Sequence, residues 1–248
     1  MTMDRSQDCS SGACFCHAAG ETVKPATKAD WSRRGLLQAG AAGGVLAVTG
    51  PVRPALAQSN LTAKAALQSL MKGNERFVSR KLKFFEEDLA ILQKNTVEKQ
   101  EPFASVLSCA DSRVPVELLF DQSIGHVFVN RVAGNIATSE IIASIEYGIA
   151  VLGTRVLMVL GHSGCGAVKA AISAKAVPGQ ISSLYRYIRP AVDEARGDFV
   201  GAIKANARIQ TKLLRESSPV VADALKAGSL EVVAAYYDLA TGKVALLN

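Results

Sequence analysis

The chain predicts an α/β fold: a mainly parallel β-sheet, about four parallel strands plus a C-terminal antiparallel edge strand, flanked by helices. Two observations carry this. Short apolar runs near Val106–Ser108, Val127–Val132, Arg155–Leu160 and Glu231–Tyr237 read as strands, and segments of helical spacing separate them. Strands that alternate with helices pair in parallel, because each crossover returns the chain to the same end of the sheet. At the end of the chain Thr241-Gly242 turns back into Val244-Ala245-Leu246-Leu247, a short strand for the sheet edge.

Taken in order, Ala63 to Val78 repeats Ala, Leu, Met and Phe at helical spacing, with Asn60 or Thr62 as candidate cap. The strand ending at Ser108 leads into a loop, and Pro115 is suited to start the next helix. Thr138 to Leu152 and Ala167 to Ala174 are helical, and Ile181 to Arg215 is helical in pieces. No internal repeat or low-complexity block follows Gln58.

With 248 residues, 49% hydrophobic and 20% charged, the chain is globular and long enough for one sizeable core. Its net charge of +6 includes six Lys/Arg and four Asp/Glu in residues 1–57, which leaves +4 for the rest. No dense Lys/Arg stripe with interleaved aromatics occurs, which excludes a nucleic-acid-binding class.

Residues 1–57 read as a leader and 58–248 as one folded domain. Ser32-Arg33-Arg34-Gly35-Leu36-Leu37-Gln38 resembles a twin-arginine export signal. A moderately apolar stretch from Gly35 to Val48 follows, then Ala55-Leu56-Ala57 as a small-x-small cleavage site before Gln58. The apolar run is too short and too rich in Gly and Ala for a membrane span. The expected location is therefore the periplasm or cell envelope, reached through the export machinery. Cys9, Cys14, Cys16 and His17 lie in this Ser-, Gly- and Ala-rich leader and read as incidental.

Outside the leader only Cys109 and Cys165 remain, with His162 three residues before the second. Two thiols and an imidazole suit Zn²⁺, and three protein ligands leave one tetrahedral position open, as a catalytic zinc requires. Cys109 and His162 both follow apolar strands, where open parallel sheets place their ligand crevice. Cys165 falls near the first turn of a helix, which favours the ligating thiolate. Asp111 and Arg113 add an acid and a permanent cation beside Cys109. In an exported protein the two cysteines have a disulfide as their other reading, but a disulfide has no need of His162 and Asp111. Gly161-His162-Ser163-Gly164-Cys165-Gly166 also follows a strand and opens a helix, but its glycine spacing is reversed from that of a dinucleotide-binding turn.

The longer motifs extend this reading. They are Phe103-Ala104-Ser105-Val106-Leu107-Ser108-Cys109-Ala110-Asp111-Ser112-Arg113-Val114-Pro115, Phe120-Asp121-Gln122, Val129-Asn130-Arg131-Val132-Ala133-Gly134-Asn135, Glu146-Tyr147-Gly148 and Gly161 through Val168. From roughly Asn60 to the C-terminus the chain resembles the β-class carbonic anhydrases.

The resemblance implies one Zn²⁺ per chain and reversible hydration of CO₂ to bicarbonate and a proton by zinc-bound hydroxide. It implies Cys109, His162 and Cys165 as ligands, Asp111 and Arg113 as the catalytic pair, and Asp111 as a further metal ligand when it leaves Arg113. Gln100, Phe128 and Tyr147 match substrate-pocket positions: an amide for bicarbonate and two aromatic walls. A homodimer or higher homo-oligomer is implied as well. His126 matches no ligand position, and Ala133 stands where plant-type members have valine. Val106 replaces the tryptophan with which one subgroup builds an inhibitory bicarbonate pocket. Two other functions remain open for the same motifs: hydrolysis of COS or CS₂, and zinc binding without turnover.

Overall fold

The computed structural model describes residues 59–83 and 99–248, and the segment expected to be a leader, with Arg33, Arg34 and Cys9 to His17, lies outside the described residues. The first helix, α1 (Ala63–Val78), is capped by Thr62, whose hydroxyl accepts from the Ala65 N–H. It buries Leu67, Leu70 and Gly73. Gly73 is obligatory there: a Cβ would stand 1.7 Å from the Phe120 carbonyl oxygen.

Five strands follow: β1 (Ala104–Ser108), β2 (Val127–Arg131), β3 (Val156–His162), β4 (Glu231–Tyr237) and β5 (Val244–Leu247). Their order across the sheet is β2-β1-β3-β4-β5. The first four are parallel and β5 runs antiparallel to β4, as the sequence predicts. β1 and β3 lie in the middle and are buried along their whole length. Fully buried parallel strands read as continuous apolar runs, and Val156-Leu157-Met158-Val159-Leu160 is such a run.

The helices after β1 are α2 (Val116–Leu119), α3 (Ser139–Ala150), α4 (Gly166–Ser173), α5 (Tyr185–Ala195), α6 (Phe199–Ser217) and α7 (Pro219–Lys226), with a 3₁₀ turn at Ile181–Leu184. Alternate residues of each strand point to opposite faces. Val106, Met158 and Leu160 therefore meet Leu67, Leu70 and Phe120 on one face. Leu107, Leu157 and Val159 meet Ile145, Leu214 and Val221 on the other. Ile181 to Arg215 breaks where Arg196 and Gly197 take positive φ (48° and 94°) and Asp198 recaps the chain by accepting from the Val200 N–H. The sequence reading missed α7. Ser218 caps it and Pro219 begins it, and both signals were available.

A third apolar cluster lies beyond the C-terminal ends of the central strands. It packs Cys109 and Cys165 with Ile136, Val168, Ile188 and Ile203. None of the described helices is long and apolar enough to cross a membrane.

Candidate metal centre

The register of β1 on β3 builds this site. Ser108 pairs with Leu160, so Cys109, one step past β1, comes level with Gly161 and beside His162, the last residue of β3. The chain then turns through Ser163 and Gly164 (φ 68°) to Cys165, the N-cap residue of α4. Backbone bonds hold that turn in place: Ser163 N–H donates to Tyr237 O at 2.8 Å, and Leu239 N–H donates to Ser163 Oγ at 2.9 Å.

The ligand atoms of Cys109, His162 and Cys165 all lie within 4.8 Å of one another. All three side chains are buried, and both cysteines are free thiols. His162 Nδ1 sits 3.0 Å from Ser163 O. That contact assigns the proton to Nδ1 and leaves Nε2 with a lone pair. Nε2 is buried and has no hydrogen-bond partner. A buried ring nitrogen without a partner is costly, and beside two thiols it is resolved by a metal. Two sulfurs and one nitrogen are zinc's preferred donors, so these residues fit the ion.

The two thiols titrate as a pair. Cys109 is pulled down to about 4 by the hydrogen bond from Cys165, with help from His162 and the Gly134 N–H and against the cost of burial. Cys165 is pushed up because it donates to that thiolate and is itself buried.

Asp111 stands at the rim. Arg113 grips it with Nε on Oδ1 at 2.9 Å and Nη2 on Oδ2 at 2.7 Å, and the Arg113 N–H adds a third bond to Oδ1 at 3.0 Å. These bonds hold the carboxyl well below the usual carboxylate range. Its Oδ2 lies 3.8 Å from His162 Nε2. The same Arg113 Nη2 reaches Gly164 O at 3.2 Å, which ties the Asp111 loop to the His162–Cys165 turn.

The sequence reading overlooked Arg131. Its Nε donates to Cys109 O at 3.0 Å and its Nη2 to Asp111 O at 2.6 Å, so one guanidinium fixes the backbone on both sides of Ala110. An arginine at the end of a strand gives no sequence signal of that contact.

Gln100, Phe128 and Tyr147 are not brought to this centre within the chain. Phe128 pairs with Ser105, four residues before Cys109, or about 13 Å back along the sheet. Its ring lies 6.2 Å from that of Tyr147 on α3, and Tyr147 is 48% exposed. Gln100 is exposed and precedes β1, at the end opposite the cysteines. The two aromatics form a patch beside β2, an edge strand.

Residues 104–244 match the sequence profile of the carbonic anhydrase family. The chain is 32% identical over 195 residues to carbonic anhydrase 2 of Mycobacterium tuberculosis, covering 75% of this chain and 94% of that one. Its fold superposes on the Coccomyxa β-carbonic anhydrase in complex with acetazolamide with a TM-score of 0.58 at 26% identity, over 73% of this chain and 86% of that one. Against one of two tetrameric β-carbonic anhydrases of Sordaria macrospora the TM-score is 0.59 at 22% identity, over 64% and 90%.

Proposed function

The chain belongs to the carbonic anhydrase family, in its β class, and from that premise we propose which residues run the reaction, how the chain assembles and where it works. It is a zinc enzyme that interconverts CO₂ with bicarbonate and a proton. Cys109, His162 and Cys165 would hold the metal. When bound there, zinc lowers the pKa of a coordinated water to about 7 and so supplies a nucleophile at neutral pH.

The chain's own residues orient that chemistry. Asp111, ionised throughout the working range, is an acceptor and not a base. It takes a hydrogen bond from the attacking oxygen and turns its lone pair toward CO₂. Arg113 positions Asp111, and by holding both carboxylate oxygens it would keep Asp111 from serving as a further ligand to a bound zinc. Arg131 holds the Cys109–Asp111 backbone so that ligand and acceptor keep their spacing. The observation that carries this reading is the buried, unpartnered His162 Nε2 among two thiols and 3.8 Å from the Asp111 carboxylate.

Gln100, Phe128 and Tyr147 are read as substrate-pocket residues offered to a second copy. The exposure of Tyr147, whose ring packs beside Phe128 of β2, supports a homodimer formed on the β2 side. Higher assembly is consistent with the tetrameric relatives. Residues 1–57 are read as a twin-arginine leader, on the strength of Arg33-Arg34, the Gly35–Val48 stretch and Ala55-Leu56-Ala57, which gives a periplasmic or envelope enzyme.

Metal analysis and stopped-flow CO₂ hydration test the site together. The wild type should hold one zinc per chain, and Cys109→Ser and Cys165→Ser should lose metal and activity in step. Full zinc content in either variant would refute the ligand assignment.

A further inference from the structure

Cys109 Sγ accepts a hydrogen bond from the Gly134 N–H at 3.3 Å. Gly134 sits in a tight turn in which Asn135 N–H donates to Val132 O at 2.9 Å, and it takes φ 81° there. Glycine is favoured there by the positive φ, and a Cβ would crowd the tip of Ile188 at 2.8 Å from Cδ1. A glycine has no side chain to hold its own peptide groups, so something else must fix their direction.

Two buried amides on α6 do so. Asn206 Nδ2 donates to Gly134 O at 2.8 Å. Gln210, one turn later, donates Nε2 to Asn206 Oδ1 at 3.3 Å and to Tyr187 O at 3.1 Å. Gln210 Oε1 accepts from the Ala137 N–H at 2.9 Å. Asn206 is 0% and Gln210 1% exposed. Leucine and methionine would fill the same space. What they cannot supply is a fixed orientation for the Gly134 carbonyl, and with it for the N–H on the other side of the same glycine.

We propose that Asn206, oriented by Gln210, is a positioning residue for the metal centre: through Gly134 it aims the N–H that hydrogen-bonds the Cys109 thiolate. Hydrogen bonds to a ligating sulfur draw charge from it and fix its direction, and partners behind metal ligands typically govern 10–100-fold in metal affinity. The inference rests on Cys109 being a zinc ligand.

The test compares Asn206→Leu with Thr211→Val. Thr211 is buried on the same helix, and its hydroxyl bonds its own helix at Ala207 O. In competition with a chromophoric chelator, Asn206→Leu should hold zinc about 10–100-fold more weakly. Its cobalt-substituted form should show a displaced thiolate-to-cobalt charge-transfer band. Thr211→Val should leave both unchanged. Gln210→Glu keeps the acceptor for Ala137 and loses both donors, so it should give a smaller change of the same kind. It serves as the deciding arm if Asn206→Leu does not fold. Wild-type zinc affinity with an unmoved band in the deciding variant overturns the proposal, as does an equal change in Thr211→Val. Cys109→Ser, run alongside, separates the two levels: retained zinc there refutes the ligand assignment, whereas its loss beside a normal Asn206→Leu refutes this inference alone.

Discussion

Arg113 holds Asp111 in a two-point grip, Nε on Oδ1 and Nη2 on Oδ2, while the carboxylate stands 3.8 Å from the free nitrogen of His162. The carboxylate is thus held by the guanidinium and faces the place that a metal on His162 would occupy. If it left Arg113 for that metal, it would take the position that water needs.

Removing the guanidinium tests that competition. Arg113→Ala leaves the three ligands intact, so zinc content should stay at one per chain. The freed carboxylate should move onto the metal, and kcat/KM for CO₂ hydration should fall about 100-fold, the upper range for a partner behind a metal site. Stopped-flow hydration across pH 7 to 9, with metal analysis of the same samples, measures both. Near-normal turnover by the zinc-loaded variant would remove Arg113 from the mechanism.

The thiol pair predicts a pH signature for metal-free protein. With Cys109 pulled down to about 4 and Cys165 pushed up, the first proton leaves Cys109. A depressed pKa means that the thiolate's contribution to folding is complete above the unfolded thiol's pKa and is lost as pH falls through about 4. Iodoacetamide should therefore label Cys109 before Cys165, at a rate nearly flat from pH 5.5 to 8, as peptide mapping would reveal. A rate climbing tenfold per pH unit up to pH 8 would mean an ordinary thiol.

Much of this was legible in the chain. The strand-helix alternation, the apolar run of β3 and the turn at Thr241-Gly242 specify the sheet, whereas the β1–β3 register was not legible, because strands buried on both faces carry no alternation to fix it. That Cys109, His162 and Cys165 converge was legible because soft donors are few and their spacing matches two strand ends. The Asn206–Gln210 pair was not. Amides four apart on a helix resemble a solvated face, and only the packing of α6 on the Gly134 turn shows that they are buried. The separation of Phe128 from Cys109 was legible in principle, since Phe128 stands near the start of its strand and Cys109 beyond the end of a parallel one, but the motif match gave no reason to compare them.

A leader in residues 1–57, as proposed, makes a separate prediction. Paired guanidinium groups are the recognised element of a twin-arginine signal, so Arg33→Lys with Arg34→Lys should leave precursor in the cytoplasm. The wild type should yield mature protein beginning near Gln58 in the envelope fraction. Cell fractionation with N-terminal sequencing reads both. Normal export of the double variant would show that the segment is not such a signal.

The aromatic patch carries the last prediction. Phe128 and Tyr147 lie together about 13 Å along the sheet from their own chain's cysteines, beside an edge strand, and Tyr147 is half exposed. Exposed apolar patches mark interaction sites, and the two-fold pairing proposed for the β2 side would offer each copy's aromatics to its partner. Tyr147→Arg places a charge in that patch without touching a ligand, so it should keep zinc and secondary structure. In sedimentation velocity it should shift the wild-type dimer, or multiple of a dimer, toward monomer. CO₂ hydration should fall at least tenfold, and the loss should track the monomer fraction as protein is diluted. A wild type that sediments as a fully active monomer would refute both the assembly and the assignment of Gln100, Phe128 and Tyr147 to a substrate pocket. If Tyr147→Arg stays dimeric with full activity, the contact lies elsewhere on the surface.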